Sequence, residues 1–270
     1  MAGNYFGNYS NSNFSGMQLS GANFVGATLS SASFKNADLT NANFVSVKLT
    51  SADFSGAEMS GVNLMSANLS NANLKKADLT NANFADTKSN NADYSGAQLT
   101  GANFSGAKLS NAYFKNADLT NANFNGVNLS YADFTGSQLT GANFSGANLK
   151  EACLKKTDLT NANFVGAKLP DASISGSILS GANFSGANLK GINFRGIDLQ
   201  GVNLVGAKLS ETKLSKLQKE TAIFNDNSKV SIKAKKVSKK SDDDGNGMVT
   251  INMDDFYYQG PRRPKGKSTI

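Results

Sequence analysis

A large apolar residue stands at every fifth position from Phe14 to Leu214, with no insertion or deletion and with Ser89 as the exception. Positions ending in 4 are mostly Phe, as at Phe14, Phe24, Phe34 and Phe44, and positions ending in 9 are nearly all Leu. Two residues before each comes a small apolar residue, as at Ala22, Ala27 and Ala32, and between the two sits a polar residue such as Asn23, Asp38, Asn43 or Asp53. Two apolar residues separated by one polar residue point the same way from a short extended segment. The remaining residues, mostly Ser, Thr, Lys, Gly and Asn, suit a turn. A period of five fits neither the 3.6 of a helix nor the 2.0 of a long strand, so the chain bends at every repeat. One repeat is too small to bury its own apolar pair. Stacked coils bury these pairs in a continuous core and pair backbone groups with the coils above and below.

The number of repeats per coil follows from the Phe and Leu alternation. A coil of 15 residues would stack Phe on Leu, whereas a four-sided coil of 20 stacks like on like. A longer echo agrees: FKNADLTNANF (34–44) returns as LKKADLTNANF (74–84), FKNADLTNANF (114–124), LKKTDLTNANF (154–164) and FRGIDLQGVNL (194–204), every 40 residues, or two coils.

Composition narrows the chemistry. The 270 residues include no His, no Trp and one Cys. Without histidine there is no Cys–His or Ser–His–Asp nucleophile and no His-type zinc cluster, and no phosphate-binding Gly loop is present. The chain therefore reads as non-enzymatic. Cys153, between Ala152 and Leu154, falls in an outward slot, and the nearby Lys155 and Lys156 would favour its thiolate. A single cysteine forms no internal disulfide and suits a reducing compartment. The first residues lack the basic and apolar regions of a signal peptide, and no apolar run has the roughly 18–20 residues of a membrane span. The expectation is a cytoplasmic protein, or one inside a large intracellular or viral assembly, with no membrane partner.

Runs such as ADLTNANF (77–84) and ANLSNANL (67–74) resemble the A(D/N)LXX pattern of the pentapeptide-repeat family, and the resemblance covers about 200 of the 270 residues. It implies an all-β fold, a right-handed quadrilateral parallel β-helix of about ten coils and roughly 50 Å. Residues 1–214 would form this solenoid, 215–226 a C-terminal cap through Leu217, Ile223 and Phe224, and 227–270 a tail. The resemblance also suggests one activity, inhibition of a type II topoisomerase by mimicry of DNA. Mimicry needs phosphate-like negative charge. Residues 1–210 carry 14 Lys and Arg against 12 Asp and Glu, so the rod is nearly neutral, while residues 211–270 carry 13 against 8. The near-neutral rod disfavours mimicry.

Two features interrupt the monotony of the repeats. Lys35, Lys75, Lys115, Lys155 and Arg195 recur every 40 residues, as do Asp38, Asp78, Asp118, Asp158 and Asp198. Each set forms a stripe along the rod, either a docking strip for a repetitive partner or a solvated face copied by duplication. At 86–94 (DTKSNNADY), Thr87 replaces an inward Ala and Ser89 an inward Leu. Buried hydroxyls need a partner or water, so this site is a bulge, a hydrated defect or a ligand notch.

The tail has two readings. KVSIKAKKVSKK (229–240) and MVTINM (248–253) alternate, so a β-hairpin can turn at Asp244–Gly245 or Asn246–Gly247. Alternatively Asp242, Asp244 and Asn246, with the Met248 carbonyl, resemble the start of a calcium loop, although Met253 stands where a terminal Glu is expected. Apart from calcium no cofactor is expected. Phe256, Tyr257 and Tyr258 form an aromatic cluster beside Arg262 and Arg263, which pair readily with carboxylates. A rigid rod with such an arm suits a structural scaffold that contacts other proteins in a larger assembly. Nucleic-acid contact through the basic tail and a homodimer are further readings.

Overall fold

The computed structural model describes residues 3–224. Parallel backbone bridges join residues twenty apart along nearly all of this length, from Asn8–Thr28 and Gln18–Asp38 to Asn183–Asn203 and Asn188–Lys208. Four pentads therefore complete each coil. Each side contributes a single bridge rather than an extended strand, because a turn follows two residues later.

The pentad 37–41 shows how every backbone N–H finds an acceptor. Ala37 N donates to Phe34 O across the turn (3.1 Å), and Asp38 N to Met17 O in the preceding coil (3.0 Å). Leu39 N donates to Glu58 O (2.7 Å) and Asn41 N to Ser60 O (2.9 Å), both in the following coil. The fifth, Thr40 N, faces no neighbouring carbonyl and donates to Asp38 Oδ1 (3.0 Å). The Asn or Asp of the repeat is thus a local cap for an amide that the stacking leaves over. The turn places its third residue at positive φ, the type II signature, as at Asn41 (φ 56°) and Gly61 (φ 67°). At Gly61 a Cβ would also collide with Asn41 Oδ1 of the coil before.

Inside, like stacks on like. Phe24 and Phe44 lie with ring centroids 4.6 Å apart and planes 2° apart, and Phe34 and Phe54 at 5.0 Å and 5°. Neighbouring columns meet edge to face, as Phe24 and Phe34 do at 5.7 Å and 88°. Both columns break where Leu64 and Leu74 replace Phe, and the Phe34 column breaks again at Leu154 and Ile174. The Phe and Leu centres and the Ala before them form one continuous buried core.

The hydroxyl-bearing coil keeps its register, with Lys88 bridged to Asn68 and Lys108 on either side. There is no bulge, and Thr87 and Ser89 are fully buried, which excludes a notch open at the surface. Thr87 Oγ1 donates to Phe84 O (2.9 Å), and Ser89 Oγ to Thr87 Oγ1 (3.2 Å). Ser137, Thr157, Ser177 and Thr212 occupy the same Ala slot and use the same bond to the carbonyl three residues back. Tyr94, the next core centre after Ser89, is fully buried. Its buried hydroxyl has no well-aligned partner, and burial pushes its pKa up against the opposing influence of Ser89.

Both ends extend the repeat. Asn4 bridges Asn23, and Tyr5 stacks on Phe24 at 4.6 Å. At the other end the chain turns into α1 (Lys216–Thr221), opened by a capping box between Ser215 and Gln218. Gln218 Nε2 donates to Phe194 O (2.6 Å) and Ile197 O (2.7 Å), closing carbonyls on the last coil. Ile223, expected in the lid, is instead 44% exposed and bridges Asn203, whereas Ala222 and Phe224 pack on the core. The side chain of Leu217 lies outside the described set. The all-β expectation is thus qualified by one short helix.

Leu119 is fully buried. Leu119→Asp should cost on the order of 5 kcal/mol and unfold several coils, read as a collapsed thermal transition. Tyr94→Phe should do the opposite, raising stability by about 1 kcal/mol in denaturant melts, because it removes an unsatisfied buried hydroxyl.

Candidate functional site

With a twenty-residue coil, the outward slots fall into four columns, one per side. The first is an unbroken run of asparagines from Asn23 to Asn203. Its amides bond from coil to coil, Asn83 Nδ2 to Asn63 Oδ1 at 3.2 Å and Asn123 Nδ2 to Asn103 Oδ1 at 3.1 Å. The second column holds Lys48, Lys88, Lys108, Lys168 and Lys208 among Asn and Thr, with no acid. The third is mixed, with Asp53, Asp93, Asp133, Cys153 and Lys213. The fourth holds Asp38, Glu58, Asp78, Asp118, Asp158 and Asp198 and no base. The nearly neutral rod therefore has a cationic side and an anionic side, two pentads apart and so opposite each other.

The stripe at Lys35, Lys75, Lys115, Lys155 and Arg195 lies on the corner between the third and fourth columns. Much of it is engaged within the rod. Lys35 pairs with Asp53 (3.2 Å), Lys75 with Asp93 (3.0 Å) and Lys115 with Asp133 (3.2 Å), each 18 residues on, in the next coil. At Lys155 the matching position is Ser173, and at Arg195 it is Lys213. The ammonium groups of Lys35, Lys75 and Lys115 are about half exposed, so solvent screens each pair and it adds little to stability. Lys115 also lies 5.9 Å from the centroid of the Tyr113 ring. Cys153 is half-buried, with Sγ 3.2 Å from Thr135 Oγ1.

The acid side differs. Asp38, Asp78 and Asp158 each spend Oδ1 on the backbone N–H of Thr40, Thr80 and Thr160, and Asp198 does the same for Gln200. Asp118 also accepts from Thr100 Oγ1 through Oδ2 (3.1 Å). Its six charges over eight coils average one per roughly 6–7 Å, against one per about 1.7 Å of duplex DNA. The column is acidic but far too sparse to present a phosphate-like field.

Among the described residues no group of three or more His, Cys, Asp or Glu is placed to hold a metal ion, and no helix is long and apolar enough to cross a membrane. The calcium candidates Asp242, Asp244, Asn246 and Met248 lie outside the described residues. So do Phe256, Tyr257, Tyr258, Arg262 and Arg263.

Asp53, Asp93, Asp118 and Asp133 titrate below the usual carboxylate value. Desolvation pushes each upward, but hydrogen bonds from the residue two places on, joined by a lysine for Asp53, Asp93 and Asp133, outweigh it. A depressed folded pKa means the unfolded chain binds more protons in the acid range. The stabilisation is present above about pH 4 and is lost as pH falls below it, so the melting temperature should drop between about pH 4 and pH 2. At a single site, Asp93→Asn keeps an oxygen for Ser95 N and should cost only a few tenths of a kcal/mol, whereas Asp93→Ala should cost about 1 kcal/mol in the same melts.

Sequence comparison agrees with this geometry. The profile described as "Pentapeptide repeats" matches residues 10–45, 107–146, 142–181 and 177–215, with eight copies, and "Pentapeptide repeat region" matches residues 47–124. Similar solved structures include HetL, a pentapeptide repeat protein involved in heterocyst differentiation regulation in the cyanobacterium Nostoc. It is 33% identical, with 82% of this chain and 92% of HetL covered and a TM-score of 0.41. QnrB1, a plasmid-mediated fluoroquinolone resistance protein, in a trypsin-treated form, is 20% identical over 80% of this chain and 93% of its own, with a TM-score of 0.36. A pentapeptide repeat protein of the Arabidopsis thaliana thylakoid lumen is 25% identical over 51% of this chain and 78% of its own, with a TM-score of 0.19. No curated protein matches the sequence. The profile matches span most of the chain, and this protein belongs to the pentapeptide-repeat family.

Proposed function

We propose that this protein is a non-enzymatic scaffold: a right-handed, four-sided rod of about ten coils that holds other proteins at fixed spacing in a larger assembly. The observation that carries this reading is the segregation of side chains into four straight columns on a backbone whose amides are nearly all engaged. Such a rod is already ordered, so it offers flat, repetitive surfaces without a folding cost at binding. The absence of histidine from the sequence and its single half-buried cysteine leave little with which to build an acid–base or nucleophilic centre.

Within this reading the tail, residues 227–270, supplies most of the affinity and the rod supplies the spacing. Phe256, Tyr257 and Tyr258 anchor in a partner pocket, and Arg262 and Arg263 pair with its carboxylates.

The test is capture of partners by the full chain and by a chain ending at residue 226. The full chain should retain a specific protein that the shorter one loses, and Phe256→Ala with Tyr257→Ala should weaken that contact by about 2 kcal/mol or more. Equal capture by both chains would move the site onto the rod faces, and no specific capture by either would overturn the scaffold reading.

A further inference from the structure

The cationic and anionic sides match each other in period as well as in sign. Along the acid side, carboxylates recur every 40 residues from Asp38 through Asp78, Asp118 and Asp158 to Asp198. Along the opposite side, lysines stand ten residues later at Lys48, Lys88, Lys168 and Lys208, with Asn128 at the remaining place. Ten residues are half a coil, so each lysine sits about 2.4 Å further along the axis than its aspartate, on the far side of the rod. Among the described residues these lysines have no ion-pair partner, whereas three of the corner lysines are paired. Asp38, Asp78 and Asp158 use Oδ1 on the backbone, whereas Asp118 uses both oxygens.

We propose that the rod associates side by side with further copies of itself, the lysine side of one copy lying on the acid side of the next. A copy displaced sideways, with its axis parallel, brings the two opposite sides together with no rotation. A shift of half a coil then sets Lys48 on Asp38, Lys88 on Asp78, Lys168 on Asp158 and Lys208 on Asp198. In the same register Glu58 and Asp118 meet Asn68 and Asn128, whose amides can donate to them. Between the two columns themselves no register brings like charges together, since neither contains the other sign. A side about 50 Å long and roughly 16 Å wide offers about 800 Å² per partner, the usual size of a specific contact. Because the two sides are different surfaces, the contact is heterologous and repeats, giving a flat ribbon of parallel rods rather than a closed dimer. The contact is polar and solvent-exposed, so it is weak and strongly dependent on salt.

This inference deepens the scaffold reading and rests on it, and its experiment uses only the purified full chain, so it can fail while partner capture succeeds. Sedimentation velocity over a range of protein concentrations is run at about 10 mM and about 0.5 M salt, where screening is weak and then strong. Association should grow with concentration at low salt and disappear at high salt. Two reversed chains decide the matter. In one, Lys48, Lys88 and Lys168 become Glu; these slots cap no amide through a carboxylate or amide oxygen, so the fold is untouched. In the other, Asp38, Asp78 and Asp158 become Lys, with melting curves confirming that the coils persist. Each should sediment as a monomer alone, with association weakened tenfold or more, and an equal mixture of the two should associate again. A wild-type chain monomeric at low salt would overturn the proposal, as would a mixture that stays monomeric. Association lost with the acid reversal but kept with the lysine reversal would also overturn it, and would assign the acid side to the basic tail.

Discussion

The structure depends on one leftover amide per pentad. Stacking in parallel coils satisfies three of the five N–H groups and the turn satisfies a fourth, but the residue after the central Leu or Phe faces no carbonyl. The oxygen of Asn or Asp two residues earlier is within reach, and Asp38 shows the bond at 3.0 Å to Thr40 N. This explains why the outward slot, which lies partly exposed along each side, is dominated by two residue types. Where the slot holds lysine another solution is needed, and after Lys108 it comes from the coil before, with Asn90 Oδ1 accepting from Ser110 N at 3.1 Å. The lysine side is thus accommodated at the cost of a local cap, which makes its clustering on one side a property to account for rather than noise.

The core was legible in the sequence because volume leaves a strict signal. Like residues recur every ten, which rules out a coil of fifteen, and twenty is the multiple of ten that closes four sides and stacks Phe24 on Phe44 and Leu29 on Leu49. The hydroxyls at Thr87 and Ser89 were legible as anomalies but not in their resolution. The turn carbonyl three residues back is available to any Ser or Thr in the Ala slot, and that availability is a matter of backbone geometry, not of residue type.

The C-terminal closure was only half legible. The sequence ends the solenoid at residue 214 and starts a cap, yet Ala222 and Phe224 stand twenty residues after Val202 and Leu204 and resume the inward pair. The intervening helix is six residues long, too short for periodicity to reveal, although Ser215 and Gln218 carry the capping-box spacing. The charge pattern was legible as stripes at intervals of forty. The ion pairs between Lys35 and Asp53 and their equivalents were not, because residues 18 apart meet only once the coil length is known. The sorting of Lys and Asp onto opposite sides likewise emerges only when positions are taken by remainder after division by twenty.

That remainder gives the coil a consequence for how such a chain can change in length. Removing one pentad from the middle of the rod would leave every turn and every leftover amide intact, since each pentad is complete in itself. Yet every column beyond the cut would be rotated by a quarter turn, joining the asparagine ladder to the lysine side and setting Phe beneath Leu in the core. Removing twenty residues would restore the chemistry of each side, and removing forty would preserve the alternation of charge along it as well. A lineage of such rods is therefore free to grow or shrink in whole coils, and best in pairs of coils, while single repeats are locked in number by surfaces that each of them only quarter defines.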